Sequence, residues 1–354
     1  MKTWTVLLLL TAWGCGDKTE DEDTGEDQTA PDEMADDGDD DGTGDDGTGD
    51  DGTGDDDGGD DGTGDDGTGD DDMLTLDTCA ESYGDDVPAF YARYFACVDV
   101  SMDDGGVTMW TDGLPPTQSS YYNVDHPNYV EFDDRGGTHW QNPGEIGEQD
   151  FSMTVPLEPT AKGLVIDASM VDNAMMTNDD EYSAGGVGVS LNGVLAFAAM
   201  AGPGDDLAEE QFTFDLYEGH PAGDQYHYHF NTKGPLEVLF DRGLTTSPEI
   251  GAGSIEMYAL MCDGTVVLGC TELEGSEPDD SDFDAQNGHV HDVVDADGLT
   301  LENRYHTHVC GDKWPDYPFF PEIAYYNDEA CPAAAGGPGG DGGPPPDGGP
   351  PPSP

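Results

Sequence analysis

The chain has 354 residues, with 79 Asp and Glu against 9 Lys and Arg, a formal net charge of -70 at neutral pH. This charge excludes the basic patches that hold nucleic acid and opposes electrostatic adhesion to an anionic membrane, whereas cations suit such a surface. Most of the Gly, Pro and Asp residues lie in two biased tails. The remainder, residues 74–331, suits one domain of about 200–250 residues.

The first fifteen residues have the features of an export signal. Lys2 precedes the apolar run 6–10, which is too short to span a bilayer, and Gly14 leads to Cys15. This ending resembles a bacterial lipoprotein signal, which implies cleavage before Cys15, lipidation of its thiol, and anchoring on a bacterial membrane, at the outer membrane or cell surface. Trp13 departs from the usual small residue there, so an ordinary signal cut nearby is the alternative.

Residues 16–73 are almost entirely Asp, Gly, Thr and Glu, with a short Asp-Asp-Gly-Thr-Gly repeat. With almost nothing apolar to bury and with charges that repel, the segment is predicted to be a disordered, extended linker. Aspartate-rich calcium repeats need an apolar residue in each turn, and the repeat over residues 41–72 has none. The Gly- and Pro-rich residues 332–354 are likewise predicted to be a disordered tail.

Between these segments the chain shows short structural patterns. The aromatic stretch 88–95 has helical character, and residues 106–110 are predicted to form a strand. Residues 151–155 and 212–216 alternate apolar and polar side chains, which also predicts strands. Pro156 ends the first of these two strands or places it at a sheet edge.

Two turn pairs predict hairpins in the second half of the chain. Asn192-Gly193 divides residues 186–197, and Asp263-Gly264 separates two further apolar stretches. Residues 235–240 fit either a strand or a short helix. Many short strands with Gly-rich turns predict an all-β domain, either a sandwich or a barrel-like fold.

Six cysteines remain if Cys15 carries lipid. They are Cys79, Cys97, Cys262, Cys270, Cys310 and Cys331. An even number in an exported chain predicts disulfides. The simplest pairing joins sequence neighbours: Cys79 with Cys97, Cys262 with Cys270, and Cys310 with Cys331. If Cys310 is instead reduced, it is a soft ligand for copper two residues after His308.

Seven of the nine histidines fall in two regions of the chain. They are His220, His227, His229, His289, His291, His306 and His308. Three pairs have i, i+2 spacing, which on a strand puts both imidazoles on one face, about 7 Å apart at the backbone. Tyr226 and Tyr228 then point the other way. His126 and His139 lie in Pro- and Gly-rich contexts and are predicted surface residues.

We expect both regions to converge on one metal site. Neutral imidazole suits copper and zinc. Nearby carboxylates are expected to offset the charge or to hold the rings; they are Asp215, Glu218, Asp224 and Asp292. The alternative is a packed aromatic strand whose ring nitrogens are satisfied within the protein.

The stretch from Gly219 to His229, with Gly-His-Pro followed by Tyr-His-Tyr-His, resembles the YHYH protein family. The likeness covers residues 150–326 and includes the segments 186–194, 258–264, 287–289, 305–308 and 314–320. Thr307 replaces a tyrosine on the face away from the rings, and Tyr217-Glu218 stands where the family often has cysteine. The resemblance implies an exported, often membrane-anchored domain with a suspected metal role, and it supplies no reaction.

Three functions are compatible with these features. The first is an exported protein that binds copper or zinc. The second is a metalloenzyme with Glu218 or Asp224 as general base and Tyr226 or Tyr305 as proton donor. The third is a structural or adhesive domain whose histidines only pack. The sequence has no nucleophile elbow, no His-Glu-x-x-His helix and no phosphate loop, so the enzyme ranks second.

Overall fold

The computed structural model describes residues 73–103, 105–175, 177–202 and 207–332. The predicted signal with Cys15, nearly all of the acidic linker and nearly all of the C-terminal tail lie outside these residues. In the described part, strands form two sheets and the helices are short. The prediction of an all-β domain is confirmed. No helix among the described residues has the length and apolar character needed to cross a membrane.

The smaller sheet has four strands in the order β1-β2-β3-β4. They are β1 (Ser82–Tyr83), β2 (Asp99–Asp103), β3 (Gly106–Thr111) and β4 (Phe151–Pro156). Met153 and Val155 of β4 are buried, as the alternation predicts. Pro156 is both the last residue of its strand and part of an edge strand, where its missing N–H costs no ladder bond.

The larger sheet has eight strands in the order β11-β12-β10-β9-β5-β6-β8-β7. They are β5 (Gly188–Ser190), β6 (Leu195–Ala196), β7 (His220–Ala222), β8 (Gln225–Tyr228), β9 (Met257–Met261), β10 (Val266–Leu268), β11 (Gly288–Val294) and β12 (Thr300–His308). Consecutive strands form four antiparallel hairpins, and β6 pairs parallel to β8 as β10 does to β12. Gly193 and Gly264 have positive φ at the two predicted turns.

The helical segments confirm some predictions and correct one. The helices are α1 (Ala89–Tyr94), α2 (Leu207–Glu210) and α3 (Lys233–Asp241), with 3-10 turns at Gln211–Thr213 and Asp280–Asp282. The strand predicted over residues 212–216 is wrong. The Asp215 carboxylate accepts from the N–H groups of Tyr217 and Gly219, and this local turn competes with an extended strand.

One apolar core joins the two sheets. It includes Val107 and Met153 of the smaller sheet with Val189 and Leu260 of the larger sheet, all almost fully buried. Burial of this kind supplies most of the favourable free energy of folding. The core therefore holds the larger sheet against the smaller one. The larger sheet carries all seven motif histidines on or beside its strands.

The disulfides are Cys79–Cys97, Cys262–Cys331 and Cys270–Cys310. The first was predicted, but the predicted pairs Cys262–Cys270 and Cys310–Cys331 are wrong. Cys262 follows β9 at its turn, whereas Cys270 follows β10 at the far end of the same hairpin. Cys270 and Cys310 each lie two residues beyond the paired residues Leu268 and His308 of parallel neighbours, so they meet. Cys310 is thus a disulfide partner and not a thiol ligand for copper.

Candidate metal centres

The first cluster of histidines lies on the hairpin β7–β8 at one edge of the larger sheet. His220 pairs with His227 across the hairpin, and His229 follows on the same face as His227. The Nε2 atoms of His227 and His229 are 2.9 Å apart. His220, His227 and His229 are all buried, and Tyr226 and Tyr228 point away from them into the core. We call these three histidines the first centre.

In the first centre each Nδ1 donates a hydrogen bond, which leaves each Nε2 with its lone pair. The carbonyl oxygens of Gln225 and Ala198 accept from His227 and His229. Thr213 uses its hydroxyl hydrogen on the Glu210 carbonyl, so its oxygen accepts from His220. Nε2 lone pairs of His227 and His229 at hydrogen-bond distance repel unless a cation lies between them.

A proton is not that cation at neutral pH. Burial lowers the pKa of His220 and His227 well below the usual range, and neighbouring imidazoles lower both further. Burial also lowers the pKa of His229 to about 4, although its bond to Ala198 raises it. Phe197 stacks on His227 with ring centroids 3.7 Å apart, which keeps water from the rings. The first centre is therefore a dry set of neutral nitrogen donors.

The second cluster lies at the opposite edge of the sheet. His289 and His291 lie on β11, His306 and His308 lie on β12, and Glu272 follows β10. The ring centroids of His289, His291 and His306 form a triangle with sides of 4.5 Å. We call these five residues the second centre.

Glu272 lies among all four imidazoles of the second centre. Its Oε1 is 3.3 Å from Nε2 of His289 and 3.4 Å from Nε2 of His308, and those two nitrogens are 3.3 Å apart. A tetrahedral ion with ligands at about 2.1 Å separates its ligand atoms by about 3.4 Å. Oε1 is also 3.0 Å from Nε2 of His291, and Oε2 is 3.2 Å from Nε2 of His306. These separations suit a four-coordinate metal.

The outer nitrogens of the second centre are also engaged. Nδ1 of His291, His306 and His308 faces the carbonyl oxygen of Asp292, Arg304 and Gly269 respectively, and Nδ1 of His289 faces the Asp282 carboxylate. This arrangement fixes the ring orientations and turns every Nε2 inward. Nε2 of His306 and Oε2 of Glu272 are buried and lie 3.2 Å apart, and this nitrogen can bond to the carboxylate only when it carries a proton.

The charge of Glu272 governs the second centre. Burial raises the pKa of its carboxyl, but hydrogen bonds with His289, His306 and His308 outweigh that effect and hold the pKa far below its usual range. Burial lowers the pKa of His289, and hydrogen bonds to Glu272 and Asp282 more than reverse this. Burial lowers the pKa of His306 to about 4 despite its bond to Glu272. The carboxylate is thus an anion ready to hold a cation.

The expected convergence of both histidine regions on one site is wrong. The strands β8 and β12 are five steps apart in the sheet, about 24 Å at the usual strand spacing. The seven predicted histidines instead form two centres. Each region forms its own hairpin and pairs with its own preceding hairpin, so the two regions lie at opposite edges of the sheet.

Three of the four carboxylates predicted to support the histidines are engaged elsewhere. Asp215 accepts from Tyr226 and Ser119, Glu218 pairs with Arg135, and the Asp292 carboxylate accepts from the backbone of Asn303. The fourth, Asp224, has its side chain beside Gly147.

The carboxylates that reach the imidazoles are Glu210, Glu272 and Asp282. Sequence reasoning missed all three because sheet pairing and helix placement bring them in. The predicted surface residues His126 and His139 are half-buried beside Tyr122 and Phe212 and lie outside both centres.

A third cluster consists of Asp172, Glu181 and Glu322. Its carboxylates already accept from backbone N–H groups: Glu322 from Asp172 and Asn173, and Glu181 from Thr177 and Asn178. These hydrogen bonds hold the loop together, and they account for the close approach of the three carboxylates.

Comparison with known proteins finds no matching family model, curated protein or solved structure. The resemblance to the YHYH family therefore stays a prediction, and the two centres are interpreted from their own chemistry.

Proposed function

We propose that this is an exported protein that binds zinc or copper in its buried histidine centres. The observation that carries the proposal is the inward orientation of the Nε2 atoms. Each of the seven imidazoles directs Nδ1 at a hydrogen-bond acceptor. Two Nε2 atoms face each other across 2.9 Å in the first centre and across 3.3 Å in the second. Imidazole nitrogen with one carboxylate is a donor set typical of zinc, and copper(II) binds such nitrogen donors still more strongly.

The burial of the rings supports binding over catalysis. Four of the seven side chains, His227, His229, His306 and His308, have at most 1% of their surface exposed. An enzyme needs an open coordination position that substrate can reach. The predicted base Glu218 pairs with Arg135, and the predicted donors Tyr226 and Tyr305 donate to Asp215 and Asp284 in the core. We therefore rank the metalloenzyme second.

The structural alternative conflicts with the ring chemistry. Histidines that only pack are expected to satisfy both ring nitrogens, whereas Nε2 of His220 is buried without a hydrogen-bond partner among the described residues. Export rests on the signal-like N-terminus and is supported by three disulfides, which persist in oxidising compartments. Membrane attachment through Cys15 is part of the same proposal.

Metal content of the full chain tests the proposal. The chain and a double variant, His227→Ala with His306→Ala, are equilibrated with zinc or copper, passed over a weak chelating resin and analysed for bound metal. The acidic linker is the same in both proteins, so the difference reports the centres. We expect retained metal in the parent and in a His139→Ala control, and a loss in the double variant. Equal metal content in a folded double variant would overturn the proposal.

A further inference from the structure

The larger sheet consists of two halves with the same topology. In each half a hairpin (β5–β6 or β9–β10) is followed by a second hairpin (β7–β8 or β11–β12) whose last strand pairs parallel to β6 or β10. The halves meet where β5 pairs antiparallel with β9. Gly188 pairs with Met261 and Ser190 with Ala259, so a two-fold axis at the pair Val189–Leu260 relates them.

The registers of the two halves agree. His220 pairs with His227 in the first half, and His289 pairs with His306 in the second. Within each half, the third histidine donates from Nδ1 to the carbonyl oxygen three residues beyond the strand residue that pairs with the second histidine, which is Leu195 for His227 and Val266 for His306. These acceptors are Ala198 for His229 and Gly269 for His308.

The surroundings also repeat, in the form Phe-Asp-x-x-x-Gly-His. The two copies are residues 214–220 and 283–289. Phe214 stacks on His229 as Phe283 stacks on His308. Asp215 accepts from the Tyr226 hydroxyl, and Asp284 accepts from that of Tyr305.

A glycine precedes the first histidine of each half for the same reason. A Cβ at Gly219 or Gly288 would collide with the ring of Tyr226 or Tyr305. Shared topology, register and contacts of this detail indicate one ancestral hairpin unit present twice.

The source of the carboxylate differs between the halves. Glu272 lies three residues beyond Gly269, and the residue three beyond the equivalent Ala198 is Ala201. In the first half Glu210 of α2 takes this place. Its Oε2 is 3.8 Å from Nε2 of both His220 and His229, and its Oε1 accepts from the N–H of Gly202.

Glu210 is also linked to the first centre through Thr213. The Thr213 hydroxyl donates to the Glu210 carbonyl oxygen and accepts from His220. The end of α2 and the ring of His220 thus share one hydrogen-bonded support, and the Glu210 carboxylate faces two of the three inward nitrogens.

We propose that the sheet is an internal duplication that holds one metal ion in each half, and that Glu210 is the carboxylate ligand of the first centre as Glu272 is of the second. The inference rests on the proposed function and adds its stoichiometry and the ligand of the first centre. In the first centre, three imidazoles and the Glu210 carboxylate are a donor set for a four-coordinate zinc or cobalt(II) ion.

Cobalt(II) titration of the full chain tests this inference, because four-coordinate cobalt absorbs visible light far more strongly than the aqueous ion held by an acidic linker. We expect two equivalents of strongly absorbing cobalt in the parent. Glu272→Gln should remove or weaken one at least tenfold, and Glu210→Gln or Glu210→Ala the other. Glu209→Gln, an exposed neighbour on α2, is the matched control and should keep both.

The outcomes separate the two proposals. A single strongly absorbing equivalent that Glu272→Gln removes would overturn the duplication of centres and leave metal binding intact. Two equivalents with parent affinity in both Glu210 variants would overturn the role of Glu210. No strongly absorbing equivalent in the parent, together with no retained zinc or copper, would overturn the proposed function itself.

Discussion

At the scale of single residues, buried hydrogen bonds to Asp215 lie next to the first centre. The Tyr226 hydroxyl lies 2.9 Å from both carboxylate oxygens of the buried Asp215. Burial raises the pKa of Asp215 to about 6, although bonds from Ser119 and Tyr226 lower it. Tyr226 thus helps to stabilise a buried anion one residue away from His227, a proposed metal ligand.

Removal of that hydroxyl should destabilise the fold. We expect Tyr226→Phe to lower the free energy of unfolding by about 1–3 kcal/mol, because the buried carboxylate loses a donor. Urea denaturation of the variant and the parent measures the change. In an Asp215→Asn background the same substitution should cost clearly less, and an equal cost in both backgrounds would contradict the assigned contact.

Glu322 gives the fold a dependence on pH. It is fully buried, and burial raises its pKa to about 7, with Asp172 and Glu181 adding to the rise and the N–H groups of Asn173 and Asp172 opposing it. A folded pKa above the unfolded value means that the stabilisation is present at low pH and is lost as the pH rises towards 7.

The stability of the variant Glu322→Gln relative to the parent should increase as the pH rises. We expect the difference in free energy of unfolding to move by about 2 kcal/mol in favour of the variant between pH values of about 4.5 and 7.5. Denaturation series across that range measure it. A difference that is constant with pH would show that Glu322 keeps its ordinary pKa in the folded protein.

At the scale of elements, the disulfide Cys270–Cys310 joins the ends of β10 and β12 beside the second centre. Glu272 lies two residues after Cys270, and His308 lies two residues before Cys310. The disulfide therefore restrains the carboxylate and the imidazole that are proposed to hold the same ion.

Removal of this disulfide should weaken the second centre more than the fold alone requires. We expect Cys270→Ser with Cys310→Ser to lose about 3–4 kcal/mol of stability and at least tenfold in metal affinity at the second centre. Cys79→Ser with Cys97→Ser, a shorter loop in the smaller sheet, should lose about 3 kcal/mol and keep that affinity. Competition with a coloured chelator measures both; equal affinities would contradict the restraint.

At the scale of the whole molecule, the two centres lie at opposite edges of one sheet and share its core. A ligand that binds only the folded state stabilises it by about 2.7 kcal/mol at a free concentration of about 100 Kd. Two independent centres therefore give roughly additive stabilisation.

Zinc should raise the stability of the full chain, and each of the two centres should contribute about half of the increase. We expect saturating zinc to raise the free energy of unfolding by about 5 kcal/mol in the parent and by about half of that in Glu272→Gln or Glu210→Ala. Thermal and urea unfolding with and without zinc measure the gain. Magnesium at the same concentration controls for the acidic linker, and an equal effect of magnesium would contradict the prediction.

The sequence alone determined the local features. Period-two alternation placed β4, the turn pairs Asn192-Gly193 and Asp263-Gly264 placed two hairpins, and i, i+2 spacing put the paired histidines on one face. These features depend on a few consecutive residues, and strand geometry determines them directly. The prediction failed at residues 212–216, where the side chain of Asp215 overrides the alternation.

Only the tertiary structure decided which distant residues meet. The parallel pairing of β10 with β12 brings Glu272 to the histidines and Cys270 to Cys310, and the antiparallel pairing of β5 with β9 separates the two histidine regions. Neither pairing can be predicted from a few consecutive residues, because the order of strands in a sheet results from how whole apolar faces pack. The histidines were therefore predictable, whereas their division into two centres and their carboxylate partners were not.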